Sequence, residues 1–266
     1  MTAVAVKYVA VERYVRKVRP VPYRNMSLEE FAKHVGMDAR EVRRLADRDK
    51  LPGEKIGGQW RFNRARTTEW LQEQMPTLEE PRLIALERAM SGADGNCSEP
   101  PALVVTGLIG LSGVDIAFPA RTRASVLREL VRLADRTGLL YDEKGLLGAI
   151  EERESLCSTA LSNGLAIPHP RQPMPYVCAE PLICIARLSR GVAFGAPSHN
   201  LTRLFFLICC HDDRHHLHVL ARLMRILDED TVDRLFETET PEELLEIMIA
   251  KEEKVIAQPD RAGRNN

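Results

Sequence analysis

The sequence has few aromatic residues and no apolar run long enough to cross a membrane. Aromatic side chains make up 5% of the 266 residues, and no segment approaches the roughly 20 apolar residues that a membrane helix needs. The amino terminus lacks the apolar core and cleavage site of a signal peptide. Six cysteines form no Cys-x-x-Cys pair. These absences predict a cytoplasmic protein, without membrane contact, whose thiols stay reduced.

The net charge of −1 conceals two halves of opposite sign. Residues 1–75 hold 16 Lys and Arg against 10 Asp and Glu, a net +6, and the remainder holds 21 against 28, a net −7. A positive module suits contacts with nucleic-acid phosphates. The charge pattern therefore predicts a DNA-binding amino-terminal part and a different role for the acidic part.

One histidine is set between two prolines, in Pro168-His169-Pro170. Proline fixes φ and lacks an N–H donor, so this histidine should lie on a stiff, exposed turn. Imidazole titrates near neutrality and can attack phosphorus without a separate base. We interpret His169 as a phosphoryl acceptor.

Residues upstream of His169 supply what phosphoryl transfer requires, which is charge stabilisation. Arg153 offers a positive charge, and the hydroxyl groups of Ser158 and Thr159 can donate to phosphoryl oxygens. Asn163-Gly164 is a turn signal that brings backbone N–H groups close to an anion. A second group, His215-His216-Leu217-His218, follows a predicted strand and can bring another imidazole to the same cleft.

The pattern Arg-Glu-x3-Ser-Thr, then Asn-Gly-x-Ala-Ile-Pro-His, then a strand followed by His-Leu-x-x-Leu resembles the enzyme IIA domain of the phosphoenolpyruvate sugar phosphotransferase system, in its fructose, mannitol and nitrogen-regulatory branch. The resemblance covers about residues 103–251. It implies phosphorylation of His169 on Nε2, with Nδ1 held by a backbone carbonyl. It also implies that His216 contacts the phosphoryl group and that Arg153 balances its charge, with Ser158 and Thr159 as weaker counterparts.

The resemblance implies no cofactor, and it implies a phosphocarrier rather than a turnover enzyme. A histidine-containing phosphocarrier protein would be the donor, and an enzyme IIB or another regulatory protein a further partner. The family usually has glycine where this chain has Ala160 and Ser162. Because glycine tolerates positive φ and close backbone approach, these two residues are expected to strain the loop or displace it.

The amino-terminal part shows helix-turn-helix spacing. Ser27 and Asp38 are predicted N-caps of two helices, the second spanning residues 39–49, and a hairpin over 54–62 turns at two glycines. A third helix is predicted over 64–74. The order of elements and the motif Leu-Pro-x-x-Lys-Ile-Gly-Gly-Gln-Trp-Arg-Phe are similar to the excisionase-like winged helix-turn-helix family over residues 26–75. By that resemblance the DNA contacts are Arg40, Arg43, Arg44, Lys55, Gln59 and Arg61.

The expected fold class is α/β: a mixed-sheet sandwich of the enzyme IIA type, preceded by the small winged helix-turn-helix domain. The expected division is an extension over 1–25, the helix-turn-helix domain over 26–75, a linker over 76–102, the IIA-like domain over 103–251 and a disordered tail over 252–266.

The residues together predict a regulator that couples phosphorylation of His169 to DNA binding and transcription. A homodimer that binds paired half-sites is also expected. Two alternatives stay open. In the first, the second domain senses a small anion or a partner protein without phosphoryl transfer. In the second, a segment rich in metal-ligating side chains, the ligand-rich segment, binds a metal ion. That segment contains Cys209, Cys210, His211, Asp212, His215, His216 and His218.

Overall fold

The computed structural model describes residues 25–91 and 104–257. Most of the predicted amino-terminal extension, part of the predicted linker and the last nine residues of the predicted tail lie outside these ranges. The amino-terminal elements are β1 (Asn25–Met26), α1 (Leu28–Val35), α2 (Ala39–Ala46), β2 (Gly53–Ile56), β3 (Gln59–Asn63), α3 (Arg64–Gln74) and α4 (Glu80–Ser91).

Local sequence signals account for the helix-turn-helix part. The Ser27 hydroxyl accepts from the Glu30 amide at 3.1 Å, and the Glu30 carboxylate accepts from the Ser27 amide at 2.9 Å, which is the predicted capping box. Asp38 caps α2, which ends at Ala46 rather than at residue 49. The hairpin β2–β3 turns at Gly57 and Gly58, whose φ angles of 58° and 79° suit a primed turn.

The second part is a layered α/β structure. Its elements are β4 (Val114–Asp115), α5 (Arg123–Asp135), α6 (Glu143–Leu156), β5 (Leu165–Ala166), β6 (Leu182–Val192), β7 (Thr202–Cys209), α7 (Asp213–Ile226), α8 (Glu229–Glu237) and α9 (Pro241–Ala257). The sheet has the order β4-β6-β7-β5 and is mixed, since β6 and β7 are antiparallel while each outer strand runs parallel to its neighbour.

Alternation along the central strands divides the core between the two faces of the sheet. Ile185 and Phe206 belong to the cluster that includes residues of α7 and α9, whereas Phe205 and Leu207 belong to the cluster that includes residues of α5 and α6. Helices therefore cover both faces of the sheet, and the predicted mixed-sheet α/β fold is confirmed.

Helix α4, within the segment predicted as a linker, joins the two parts by packing on α7 and α1. The guanidinium of Arg214 donates to the carbonyls of Met90 and Ala89 at 3.3 and 3.2 Å. Glu87 pairs with Arg222 and with Arg225. Residues 80–91 are thus held in a fixed position between the two parts.

The disorder predicted from residue 252 onward is wrong for residues 252–257. They continue α9, and Glu252 is 1% exposed. Its carboxylate accepts from the amides of Val105 and Thr106 at 2.7 and 2.8 Å and from Arg222 at 2.9 Å. Contacts distant in sequence therefore order a stretch that looks polar and unstructured. In the two described ranges, every helix is too short or too polar to cross a membrane.

Candidate functional site

His169 follows the short strand β5, which pairs with β7. Its Nδ1 lies 2.7 Å from the carbonyl oxygen of Ile167. A carbonyl oxygen only accepts hydrogen bonds, so Nδ1 carries the proton and Nε2 holds the lone pair. The Pro168 carbonyl accepts from the Ile208 amide at 3.0 Å, which ties the segment to β7. The backbone therefore fixes the tautomer of His169, with Nε2 unprotonated.

His216, in the first turn of α7, lies beside His169. The two ring centroids are 4.9 Å apart, and the rings are tilted by 51°. Burial, the neighbouring His216 and the charge of Arg153 hold the pKa of His169 well below its usual value. Burial and Arg153 lower the pKa of His216 to about 4. Both rings are therefore neutral near pH 7, and the lone pair on Nε2 of His169 is not protonated.

The prediction of an exposed turn is wrong. His169 is 4% exposed and His216 is 3% exposed, and no atom of the described residues forms a hydrogen bond to Nε2 of either ring. Two prolines restrict the backbone of a histidine, but its exposure depends on what packs over the loop. In this conformation the nucleophilic nitrogen is out of contact with solvent.

Arg153, at the carboxyl-terminal end of α6, is brought into this cluster as predicted by its position in the motif. It is 7% exposed, and its guanidinium donates to the carbonyl of Cys157 at 2.7 Å. Its positive charge acts on both histidines, as their lowered pKa values reflect. A buried cation therefore stands beside the two imidazole rings.

The hydroxyl groups of Ser158 and Thr159 are used by the protein itself. Ser158 donates to the Phe194 carbonyl at 2.6 Å. Thr159 donates its hydroxyl to the Glu154 carboxylate, which also accepts from the Thr159 amide at 2.9 Å. In this conformation neither hydroxyl group donates to the histidine pair. Both residues instead hold the loop in place through these hydrogen bonds.

A groove between α2 and the β2–β3 hairpin brings together part of the predicted DNA-binding set. Arg43, Lys55, Gln59 and Arg61 line it. Arg40 and Arg44 are exposed on α2 outside that lining. Lys55 lies 3.6 Å from the Asp47 carboxylate, which neutralises part of the positive charge in the groove.

Comparison with known families assigns both parts of the chain. The family described as "Phosphoenolpyruvate-dependent sugar phosphotransferase system, EIIA 2" matches residues 112–251, and a helix-turn-helix domain family matches residues 26–75. The chain belongs to the enzyme IIA type 2 family. It carries a helix-turn-helix domain at its amino-terminal side.

Relatives of the IIA domain come from several organisms. The chain is 29% identical over 137 residues to a nitrogen regulatory protein of Pseudomonas aeruginosa, covering 50% of this chain and 87% of that protein. It is 25% identical over 147 residues to a fructose-specific EIIA component of Haloferax volcanii, covering 54% and 94%. It is also 28% identical over 151 residues to a fructose-specific EIIABC component of Bacillus subtilis, covering 54% of this chain but only 23% of that longer protein.

The fold is shared with a solved structure. The nitrogen regulatory protein IIA-Ntr of Neisseria meningitidis superposes with a TM-score of 0.50 at 22% identity, covering 54% of this chain and 98% of that one. At this identity the likeness supports the fold alone.

Sequence reasoning missed two residues that shape the IIA site. Glu154 is buried and holds the Thr159 loop, and Arg123 donates to the Glu154 carboxylate at 2.8 Å. The adjacent Arg153-Glu154 pair in the family motif was the available signal for Glu154. The position of Arg123, 31 residues earlier, gave no such signal.

Ala160 and Ser162, which stand where the family usually has glycine, do not adopt positive φ angles. Among the described residues, positive φ outside glycine occurs at Asp49 and His199. Ala160 instead forms an antiparallel bridge with Ala166. The strain expected from Ala160 and Ser162 is therefore absent from this loop.

The histidines of the ligand-rich segment have separate partners. His211 lies 3.0 Å from the Cys178 carbonyl, His215 lies 2.5 Å from the Asp212 carboxylate, and His218 lies 3.3 Å from the Glu87 carbonyl. The hydrogen bond that His215 donates to the Asp212 carboxylate raises the pKa of His215. Residues 25–91 and 104–257 contain no cluster of three or more metal-ligating side chains.

Proposed function

We propose that this protein is a cytoplasmic regulator of the phosphotransferase system that accepts a phosphoryl group on Nε2 of His169. The donor is a histidine-containing phosphocarrier protein. The observation that carries this proposal is the Nδ1 contact of His169 with the Ile167 carbonyl, which leaves the lone pair on Nε2. Membership of the enzyme IIA type 2 family supports the same assignment.

The transfer balances without a cofactor. The Nε2 lone pair of His169 attacks the phosphorus of the carrier phosphohistidine, and an N–P bond forms as the donor N–P bond breaks. The electron pair of the broken bond returns to the carrier imidazole. Arg153 compensates the charge on the phosphoryl oxygens, and His216 orients the group. The proton remains on Nδ1, which donates a hydrogen bond to the Ile167 carbonyl throughout.

A phosphotransfer assay tests the first half of the proposal. The full chain is incubated with phosphoenolpyruvate, enzyme I and the phosphocarrier, and its intact mass is measured. We expect an acid-labile gain of about 80 Da, the mass of one phosphoryl group, and no gain in His169→Ala. A gain that persists in His169→Ala would contradict the assignment of the acceptor. An enzyme IIB domain added afterwards tests the next transfer.

The second half of the proposal is that the helix-turn-helix domain binds DNA and that phosphorylation changes transcription. Arg40, Arg43, Arg44, Lys55, Gln59 and Arg61 form the contact set, and a homodimer would read paired half-sites. The support is the +6 charge of residues 1–75 and the exposed groove beside α2. Phosphorylation adds about −1.5 to −2 charges to the acidic half.

Salt titration of binding to a mixed-sequence duplex measures the DNA contacts. Arg43→Ala is expected to weaken binding and to reduce the slope of log affinity against log salt by about 1, since one phosphate contact is lost. Arg132→Ala is the matched control, because Arg132 is an exposed arginine on α5. Equal slopes for Arg43→Ala and the unmodified chain would remove α2 from the interface.

One observation favours the sensing alternative. Nε2 of His169 is buried and has no hydrogen-bond partner within the described ranges. A IIA-like module that kept this conformation would recognise a partner without receiving a phosphoryl group. The phosphotransfer assay separates the two functions, since the sensor gains no mass under any condition.

A further inference from the structure

Two ion pairs connect helix α3 of the helix-turn-helix domain to the rim of the histidine site. Nε of Arg171 lies 2.6 Å from the Glu69 carboxylate, and Arg171 is two residues after His169. Nε of Arg64 lies 3.6 Å from the Asp213 carboxylate, and Asp213 is three residues before His216. The two ends of the histidine pair are therefore tied to one helix.

The same helix buries polar side chains on one of its faces. Arg64, Thr68 and Gln72 recur every four residues, so they lie on one face of α3. Thr68 and Gln72 are buried, and α3 contacts α7, as does the turn Met75–Thr77 that follows it. Since Arg64 of this face pairs with Asp213, the face is directed at the IIA domain.

We propose that helix α3 and the phosphocarrier compete for the same IIA surface around His169. In the conformation described above, which we call docked, α3 packs on this surface, and during transfer the phosphocarrier binds there instead. The carrier must bring its own phosphohistidine to Nε2 of His169, and that atom is buried while α3 is docked. Phosphoryl transfer therefore requires α3 to leave. The part of this inference that names the carrier rests on the proposed function, whereas the covering of His169 by α3 does not.

Docking leaves the DNA-binding groove accessible. Arg43, Lys55 and Gln59 are exposed in the docked chain, and they lie on α2 and the hairpin rather than on α3. The helix-turn-helix domain thus acts as a cover on the acceptor site, and the IIA domain does not mask DNA contacts. When α3 leaves the IIA domain, the position of the helix-turn-helix domain changes, but the same residues still line its DNA-binding groove.

Chemical modification of histidine measures the cover independently of phosphoryl transfer. The full chain is treated with diethyl pyrocarbonate, which modifies unprotonated imidazole, and the rate at each histidine is read by peptide mass spectrometry. Exposed His199 is the internal reference. In the unmodified chain we expect His169 to react much more slowly than His199.

The opening variant reverses both charges on α3, as Arg64→Asp with Glu69→Arg. Both substitutions suit the helix, since an acidic residue in the first turn and an arginine in the interior are favourable. Like charges then face Asp213 and Arg171, and the rate at His169 should rise roughly tenfold, the value of two lost exposed pairs. Adding Arg171→Glu and Asp213→Arg to the same chain should restore slow modification.

Glu54→Arg is the matched control. Glu54 pairs with Arg66 at 2.5 Å within the helix-turn-helix domain and away from the IIA surface. This variant should leave the rate at His169 unchanged, and DNA binding should remain in all variants as evidence of folding. A rate at His169 that does not change in the double-reversal variant would overturn the inference.

The phosphotransfer assay on the same variants distinguishes the two ideas. A faster mass gain in the double-reversal variant supports both the cover and the acceptor. A faster modification of His169 without any mass gain keeps the cover and rejects the phosphoryl acceptor. A mass gain at the same rate in every variant keeps the acceptor and rejects the competition.

Discussion

Helix α7 carries two buried polar clusters that differ in how completely they are paired. Near its amino-terminal end, His169, His216 and Arg153 lie together, and Nε2 of both histidines has no hydrogen-bond partner among residues 25–91 and 104–257. Six residues after His216, the two terminal nitrogens of Arg222 bind the carboxylates of Glu87 and Glu252, and only its Nε lacks a hydrogen-bond partner in the same ranges. A buried group whose bonds are used holds the structure, whereas a buried group with an unused lone pair is available for chemistry.

The paired cluster connects segments that lie far apart in the sequence. Glu87 comes from α4, Arg222 and Arg225 from α7, and Glu252 from α9. Arg225 donates to Glu87 at 2.8 Å and to the Val255 carbonyl at 3.0 Å. This cluster fixes α4 against the IIA domain, and α4 in turn packs on α1 of the helix-turn-helix domain. It therefore connects the IIA domain, through α4, to the helix-turn-helix domain that contains α3.

The largest expected effect comes from breaking the paired cluster. Glu252→Ala leaves the Val105 and Thr106 amides without their acceptor and leaves Arg222 with Glu87 as its remaining carboxylate partner. Removing one partner of a buried ion pair costs about 3–5 kcal/mol, so the free energy of unfolding should fall by that amount in urea titrations. Glu252→Gln keeps one carbonyl oxygen and should lose less. Equal losses for the two variants would show that the retained carbonyl oxygen contributes nothing and that the negative charge of Glu252 accounts for the loss.

In the reactive cluster of Arg153, His169 and His216, a substitution should change the rate of phosphoryl transfer more than the free energy of unfolding. Arg153→Met removes the cation beside His169, and the rate of phosphoryl transfer should fall about 100- to 1000-fold, the range for loss of one charge-stabilising donor. The free energy of unfolding should change little, because Cys157 is exposed and its carbonyl can bond to water. Arg153→Lys keeps the charge and should recover part of the rate. Transfer rates from single-turnover mass spectrometry, with urea titrations, separate the two effects.

A loss of stability in Arg153→Met as large as that in Glu252→Ala would contradict the comparison. It would mean that Arg153 also holds the fold, so that the two clusters do not differ in kind. A normal transfer rate in Arg153→Met would contradict the mechanism, since another group would then compensate the phosphoryl charge.

Features set by neighbouring residues could be predicted from the sequence. Helix α3 was predicted over 64–74 and spans Arg64–Gln74, because Asn63 caps it and its flanking residues end it locally. The Ser27 and Asp38 caps were predicted for the same reason. Such signals act within one helical turn, so the sequence alone contains them.

Features set by distant contacts could not be predicted. Glu252 lies in a polar stretch that indicates a tail, and its partners Val105, Thr106 and Arg222 are 30 or more residues away. The predicted exposure of His169 is also wrong, since the proline pair restricts the loop and carries no information about what packs over it. Burial is decided by packing between parts of the chain that local patterns do not relate.

The smallest predicted effect concerns the pH dependence of stability. Burial lowers the pKa of His216 to about 4 in the folded chain, against about 6.5 when unfolded. Above pH 6.5 the ring is neutral in both states, so it adds no pH dependence. Between pH 6.5 and 4 only the unfolded chain binds the proton, so stability falls as pH falls, by up to about 1.4 kcal/mol per pH unit for this group.

His216→Gln tests this contribution, because glutamine does not titrate. Urea titrations at pH 7 and pH 5.5 should show a smaller loss of stability on acidification for His216→Gln than for the unmodified chain. The pKa of His34 is lowered to about 4 in the same way, chiefly by burial, so His34→Gln is the matched control from the helix-turn-helix domain. A pH dependence that is unchanged in His216→Gln would mean that the ring is solvated when folded. The reactive cluster would then lack the dry surroundings that distinguish it from an ordinary surface histidine pair.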